Sequence, residues 1–257
     1  MDQEAAVQAL REAERRITDL QRQLAVQDEF ATTLAHELRN LLAPIVMQAE
    51  YLADAARQAE APLPAIWLNP RLEGLCARMC RFVETFDRIM DASRLTAGHI
   101  DLRLEDVDLS GLLREVCHGF EREAASARSP LSVEAPPQLV GCWDRLRLQQ
   151  ICTNLISNAV RYGAAHPIEV FLSGDEEWAT LRVRDHGIGI SDADQRRIFE
   201  RFERGGQQRK PGGFGIGLWI VRENCRALGG EVHVQSRPAE GSTFSVRLPR
   251  HRRTHHG

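Results

Sequence analysis

Apolar residues recur every three or four positions from the start of the chain to about residue 60. Place Gln3, Leu10, Ile17, Leu24, Ala31, Leu38, Ile45 and Leu52 at position a of a heptad. Position d then holds Ala6, Ala13, Leu20, Gln27, Leu34, Leu41, Gln48 and Ala55. Only three of these sixteen are polar, all glutamine. A pattern sustained this long predicts a coiled coil that leads into a helical bundle. Pro62 and Pro64 mark a connection over 61–67, and Asn69-Pro70 reads as an N-cap followed by proline at the first helical position. A second run, Leu72, Leu75, Met79, Phe82, Phe86 and Ile89, completes an antiparallel hairpin. One hairpin cannot bury both stripes, so the pattern predicts a homodimer closed as a four-helix bundle.

Ala97-Gly98 ends the hairpin, and the texture then becomes mixed. Strand and helix are expected within 107–120, strands at 131–134 and 139–143, and a helix over 145–162. A hairpin follows at 168–172 and 179–184. A helix capped by Ser191 is expected to run to about Phe202, then a glycine-rich loop at 205–213, a helix over 215–228 and a closing hairpin at 231–234 and 243–248. Helices alternating with hairpins predict a two-layer α/β sandwich. The fold class expected is therefore α + α/β: a leading coil, a helical hairpin and an α/β sandwich.

Composition narrows the functional classes. The 257 residues are 43% hydrophobic, enough for real cores, and the net charge of −3 gives no global basic surface for nucleic acid. Lys210 is the only lysine. The cysteines Cys76, Cys80, Cys117, Cys142, Cys152 and Cys225 contain no Cys-x-x-Cys pair, and most fall in apolar runs. Buried free thiols in a reducing cytoplasm are expected, rather than disulfides or zinc. Neither a secretory pattern nor a run of membrane-spanning length is present, so a cytoplasmic chain without a membrane span is expected.

The candidate chemistry begins with FATTLAHELRNLLAPI at 30–45. His36 sits mid-helix, Glu37 follows, and Asn40 lies one turn on, on the same face. A neutral imidazole is a nucleophile, and a neighbouring carboxylate can fix its tautomer or take its proton. A lone His-Glu pair is more often an accident of a helix surface. Position f of the heptad, where His36 falls, is nevertheless the outermost, so His36 is not expected in the core.

Four later stretches change that balance. In LQQICTNLISNAVRYG, 148–163, Asn154 and Asn158 share a helix face, with Arg161 and Tyr162 close behind. Amide oxygens can ligate Mg²⁺ and arginine can bind phosphate; two asparagines can equally just bond the backbone. In RDHGIGI, 184–190, Asp185 ends an apolar strand, and Gly187 and Gly189 allow close approach of backbone to a ligand. Such an aspartate can accept from the exocyclic amine of adenine, although Asp-x-Gly-x-Gly is as often a plain turn. RRIFERFERG, 196–205, offers Phe199 and Phe202 as anchors and Arg204 for a phosphate. GGFGIGLWIV, 212–221, sets Gly213, Gly215 and Gly217 before a helix N-terminus, where free N–H groups suit phosphate oxygens. GSTF, 241–244, is expected to place Thr243 near the adenine.

Taken in order, His-Glu-x-x-Asn, Asn-x-x-x-Asn-Ala, Asp-x-Gly-x-Gly, Phe-x-x-Phe and Gly-x-Gly-x-Gly-Leu resemble a bacterial sensor histidine kinase over about 28–249. The resemblance implies a coiled-coil signalling helix at 1–29, a dimerisation and phosphotransfer hairpin at 30–97, a Bergerat-type ATP-binding domain at 98–250 and a disordered tail at 251–257. His36 would be the phosphoacceptor, Glu37 its acid/base partner, and Asn40 a residue assisting phosphate removal from the regulator. Asn158 would hold Mg²⁺ with help from Asn154. Arg161, Tyr162 and Arg204 would contact nucleotide or phosphate, Asp185 would select adenine, and the glycines through Gly217-Leu218 would form the mobile lid and its base. The implied cofactors are ATP and Mg²⁺. The implied partners are a second copy, the receiver domain of a response regulator, and a separate sensory input. Leu41 departs from the family, where proline is common, and so does His186, where a small polar residue is common. Two rivals are a phosphotransfer or docking scaffold that binds ATP poorly, and another enzyme of the same ATP-binding fold.

Overall fold

The structure is a computed structural model that describes residues 16–18, 32, 35, 38–59, 61–96, 101–201, 203 and 215–251. The chain divides into two compact units, Met1–Asp87 and Arg88–Gly257. The leading coil is described only at 16–18, which are helical. The expected boundary at Ala97-Gly98 and the tail from residue 252 lie outside the described residues.

In the first unit, helix α1 spans 38–58 and passes through Pro44 without a break. Its burial follows the heptad. Leu38, Leu41, Ile45, Gln48, Leu52 and Ala55 are the shielded positions of this segment, and the residues between them are exposed. Helix α2, Ala65–Thr96, starts earlier than the sequence suggests. The Pro64 carbonyl accepts from the N–H groups of Trp67 and Leu68, so the first turn forms before Asn69-Pro70. Pro70 then lies inside the helix, where its missing N–H frees a carbonyl one turn back at Ile66. Ile66 is 88% exposed, so water can satisfy that group. Gln48 of α1 donates to the Arg71 carbonyl of α2. Tyr51 and Trp67 rings lie 6.0 Å apart, and the Arg71 guanidinium covers the Trp67 ring at 4.2 Å. The expected apolar run of α2 splits. Leu75 and Phe82 are half-buried, while Leu72, Met79 and Phe86 stay exposed.

The second unit is the expected two-layer sandwich. In chain order its elements are β1 (Glu105–Asp108), α3 (Leu109–Ser126), β2 (Leu131–Glu134), β3 (Val140–Trp143), α4 (Arg145–Tyr162), β4 (Ile168–Gly174), β5 (Trp178–Asp185), α5 (Asp192–Gln195), α6 (Gly217–Ala227), β6 (Glu231–Arg237) and β7 (Gly241–Pro249). The main sheet runs β2-β4-β5-β7-β6, with β2 parallel to β4 and the other pairs antiparallel. Strand alternation sends Val170, Leu172, Leu181, Val183, Phe244, Val246 and Leu248 inward to a core shared with Leu113, Ile151, Leu155, Ile156 and Val221 of the helices. Asp108 and Asp144 cap α3 and α4 through the N–H groups of Ser110 and Arg147. Each cap also ties down a distant strand or loop: Asp108 accepts from Leu139 N–H, and Asp144 from Arg103 N–H.

The β1–β3 ribbon is fastened to the end of β7. Trp143 Nε1 donates to the Pro249 carbonyl at 2.7 Å, and Cys142 N–H to the Arg250 carbonyl at 2.8 Å. The Trp143 ring lies across Gly141, and a Cβ there would meet it at 2.5 Å. The helix expected from Ser191 to Phe202 is a single turn instead. After Gln195, i→i−3 bonds such as Arg197 N–H to Asp194 O tighten the backbone, and Ile198 and Phe199 both reach the core. Phe202 lies outside the described residues. Two further expectations change. Cys76 and Cys80 are exposed rather than buried, because both sit on the outer side of α2. Cys117, Cys152 and Cys225 are buried as expected. Among the described residues no helix is long and apolar enough to cross a membrane.

Two glycines give a paired test of this packing. Gly141→Ala should destabilise the second unit by about 1–3 kcal/mol, because Trp143 must move. Gly119→Ala, inside α3 with nothing within 4 Å of the added carbon, should stabilise it by about 0.5–1 kcal/mol. Urea denaturation of the two variants should therefore shift the midpoint in opposite directions.

Candidate functional site

The site gathers around the C-terminal end of β5. Asp185 is an inward position of that strand and is 5% exposed. Its Oδ1 accepts the Gly187 N–H at 2.9 Å. Burial pushes its carboxyl above the ordinary range, while the N–H groups of Gly187 and Ser242 and the nearby His186 pull it back. The result is a rigid acceptor held away from water, suited to a small N–H donor. His186, the family departure, turns aside to Glu169, with Nε2 3.5 Å from Oε2.

The glycines after Asp185 serve backbone contact more than ligand approach. A Cβ at Gly187 would sit 1.8 Å from the Tyr162 carbonyl, and one at Gly189 would sit 1.9 Å from the Arg237 carbonyl. Gly189 also has φ +67°. The loop is therefore wedged between the end of α4 and the β6–β7 turn. Ile188 N–H donates to Tyr162 O, Ala239 N–H to Ile188 O, and Ile190 N–H to the Ser236 hydroxyl.

Helix α4 supplies the amides. Asn154 is 4% exposed, and its Nδ2 donates to the Gln150 carbonyl at 2.8 Å. Its Oδ1 lies 3.0 Å from where a Cβ on Gly217 would be, so Gly217 lets α6 start tight against it. Asn158, one turn on, is half-buried, and its amide has no partner among the described residues. The Asn154 Nδ2 is thus bonded to backbone, whereas the Asn158 amide is open to a ligand. Arg161 and Tyr162 are both half-buried, with the guanidinium 5.7 Å from the ring centroid. Gly215 adopts φ +66° just before α6, whose first residues are Gly217 and Leu218. Leu218 packs against the core.

Thr243 is a correction. In the β5–β7 register Asp185 faces Ser242, whereas Thr243 faces Arg184. Alternation therefore puts Thr243 on the opposite face of the sheet from Asp185. Ser242, 6% exposed, is the residue beside the carboxylate. Counting strand positions back from Phe244, an obvious core residue, would have found it. The sequence reading also missed Gln150 and Asn224. Asn224 Nδ2 of α6 donates to Gln150 Oε1 at 2.9 Å, and Arg147 Nη1 adds a second bond at 3.2 Å. This buried network joins α4 to α6 just below Asn154.

His36, Glu37, Arg204 and Gly213 lie outside the described residues. Asn40 is described and is exposed on α1. No group of three or more His, Cys, Asp or Glu side chains suited to a metal occurs among the described residues.

Residues 143–252 match the family model described as histidine kinase-, DNA gyrase B- and HSP90-like ATPase. The sensor histidine kinase MtrB of Mycolicibacterium paratuberculosis is 29% identical over 91% of this chain and 41% of its own length, so the chain spans less than half of that relative. The Acinetobacter baumannii histidine kinase AdeS shares the fold, with a TM-score of 0.65, 20% identity, and coverage of 84% of this chain and 98% of that one. Full-length ShkA, solved in complex with AMPPNP, gives a TM-score of 0.61 with 28% identity, covering 86% of this chain and 45% of that one. The fold and these matches agree: residues 143–252 are similar to the histidine kinase-, DNA gyrase B- and HSP90-like ATPases, on a chain similar to sensor histidine kinases over most of its length.

Proposed function

We propose that the chain is an ATP-dependent protein histidine kinase that works as a homodimer. It phosphorylates His36 and passes the phosphoryl group to an aspartate on the receiver domain of a response regulator. The observation that carries this reading is the buried Asp185 carboxylate, clamped by Gly187 beside a helix whose Asn158 amide is free. Similarity to sensor histidine kinases that extends into the helical hairpin supports this reading over another ATPase of this fold or a docking scaffold. A cytoplasmic location and a separate sensory input, delivered through the leading coil, belong to the same proposal.

Asp185 would accept from the adenine amine, with Ser242 beside it. The open end of α6 after Gly215, together with Gly213, Arg204, Arg161 and Tyr162, would face the sugar and phosphates. Asn158 fits Mg²⁺: the ion keeps several waters and phosphate oxygens, so one free amide with no carboxylate cage is sufficient. When bound, Mg²⁺ supplies neutralisation of phosphate charge. A ring nitrogen of His36 would bond to the γ-phosphorus as the bond to the β–γ bridging oxygen breaks, leaving ADP, and Glu37 would take the ring proton. The protein's share is positioning. Dimerisation is supported by apolar side chains left open on the hairpin. Leu72, Met79, Val83 and Phe86 of α2 are 41–54% exposed, and Leu42 and Val46 of α1 are 40% and 48% exposed. A second copy covers both stripes in a four-helix bundle.

His36→Ala should abolish acid-labile, alkali-stable labelling from γ-labelled ATP while leaving ATP binding unchanged. Wild-type labelling of that variant overturns the acceptor assignment. For Asp185, the carboxylate is the accepting form, and its raised pKa means acidification removes that acceptor from above the ordinary value of 3.8. AMPPNP affinity should therefore fall on acidification, and Asp185→Asn should bind about tenfold more weakly at neutral pH and lose that slope. For folding the sign is reversed. The raised group contributes stability below 3.8 that is lost as pH rises through its folded value, so Asp185→Asn should be at least as stable near neutral pH. Equal nucleotide affinity in both proteins refutes the role. Asn40→Ala should keep autophosphorylation and slow dephosphorylation of the regulator, because an exposed amide one turn from His36 can orient a water. Identical decay curves of phospho-regulator reduce Asn40 to surface.

A further inference from the structure

The main sheet has a second face, turned away from α3, α4 and α6. On it β4 and β5 present Phe171, Arg182 and Arg184, and β7 and β6 present Thr243 and Gln235. With Arg237 and Glu240 at the β6–β7 turn, these residues line a cleft of about 620 Å³. That volume suits a small organic ligand. Asp185 and Ser242 border the same cleft, but alternation turns their side chains to the other face, so the cleft lies back to back with the ATP site.

The lining has a definite chemistry. Arg184 is 3.6 Å from Glu169, and Arg237 is 3.6 Å from Glu240. Arg182 has no ion-pair partner among the described residues, which leaves its charge uncompensated. Its cross-strand partner is Phe171, an apolar ring that is 38% exposed. Thr243 pairs with Arg184 on one side and Gln235 on the other, adding hydroxyl and amide groups in the same row. An arginine fork takes phosphate bidentately, and an exposed ring gives a flat base a stacking surface. An acidic peptide would use the arginines but not the ring.

We propose that this cleft is a second nucleotide site, taking a nucleoside monophosphate with its phosphate on Arg182 and Arg184 and its base against Phe171. GMP is the suitable probe, because it lacks the adenine amine that Asp185 would accept. The test is calorimetric titration of GMP into the full chain presaturated with AMPPNP and Mg²⁺. Saturable binding is expected. Arg182→Glu should weaken it about tenfold or more, and Phe171→Ala should weaken GMP while leaving inorganic phosphate unaffected. Both variants should retain wild-type AMPPNP affinity, which verifies their fold. Absence of GMP binding with AMPPNP in place overturns the proposal, and so does GMP affinity unchanged by either substitution. Displacement of GMP by inorganic phosphate or an oligoglutamate peptide at equal concentration would instead identify a general anion surface, and also overturns it.

Discussion

Main-chain crowding at the end of β5 is the constraint on which the site depends. Three segments meet the chain around Asp185 at distances that no Cβ could tolerate. Gly187 lies against the Tyr162 carbonyl, Gly189 against the Arg237 carbonyl, and Gly241, at φ +91°, against the Asp185 carbonyl. Side chains at these positions would drive the end of α4, the β6–β7 turn and β5 apart. The close approach brings the N–H groups of Gly187 and Ser242 onto the carboxylate, and their pull opposes the upward push of burial. Packing and chemistry are the same fact here: the loop closes tightly, and so the acceptor is rigid.

The helices are held to one another by a buried polar link. Gln150 receives Asn224 and Arg147 through its side chain and Asn154 through its carbonyl. Within a low-dielectric core such bonds lock α6 against α4. The lock also fixes Asn154, whose Nδ2 is bonded to the Gln150 carbonyl, while the Asn158 amide has no partner among the described residues. The nearby thiols do not compete. Burial pushes Cys117 to about 11 and Cys152 and Cys225 to about 12, so they remain protonated and pack as small apolar groups.

In the hairpin the same heptad logic has an inner and an outer consequence. The shielded stripe of α1 includes Gln48 and Leu52, and Gln48 reaches across to the backbone of α2. The apolar positions of α2 are too many for one neighbour. Leu75 and Phe82 find cover, while Leu72, Met79 and Phe86 remain exposed. That surplus is what a dimer would resolve.

The sequence by itself determined the elements whose cause is local. Helix α4 runs over the span its pattern predicts, with Asp144 as cap, and the α1 stripe follows the heptad residue by residue, because period and capping act within a few positions. Asp185 was legible for the same reason, as a charge ending an apolar strand. What required distant partners was decided only in three dimensions. The start of α2 depended on the Pro64 carbonyl, and the shortening of α5 on Ile198 and Phe199 turning to the core. Ser242 replaced Thr243 because strand register, not motif order, selects the face of a sheet. Asn154 and Asn158 are equivalent on a helical wheel, and only Gln150 and Gly217 distinguish them. The cleft of Phe171 and Arg182 is invisible in sequence, since it joins four strands through hydrogen bonds that leave no trace in local pattern.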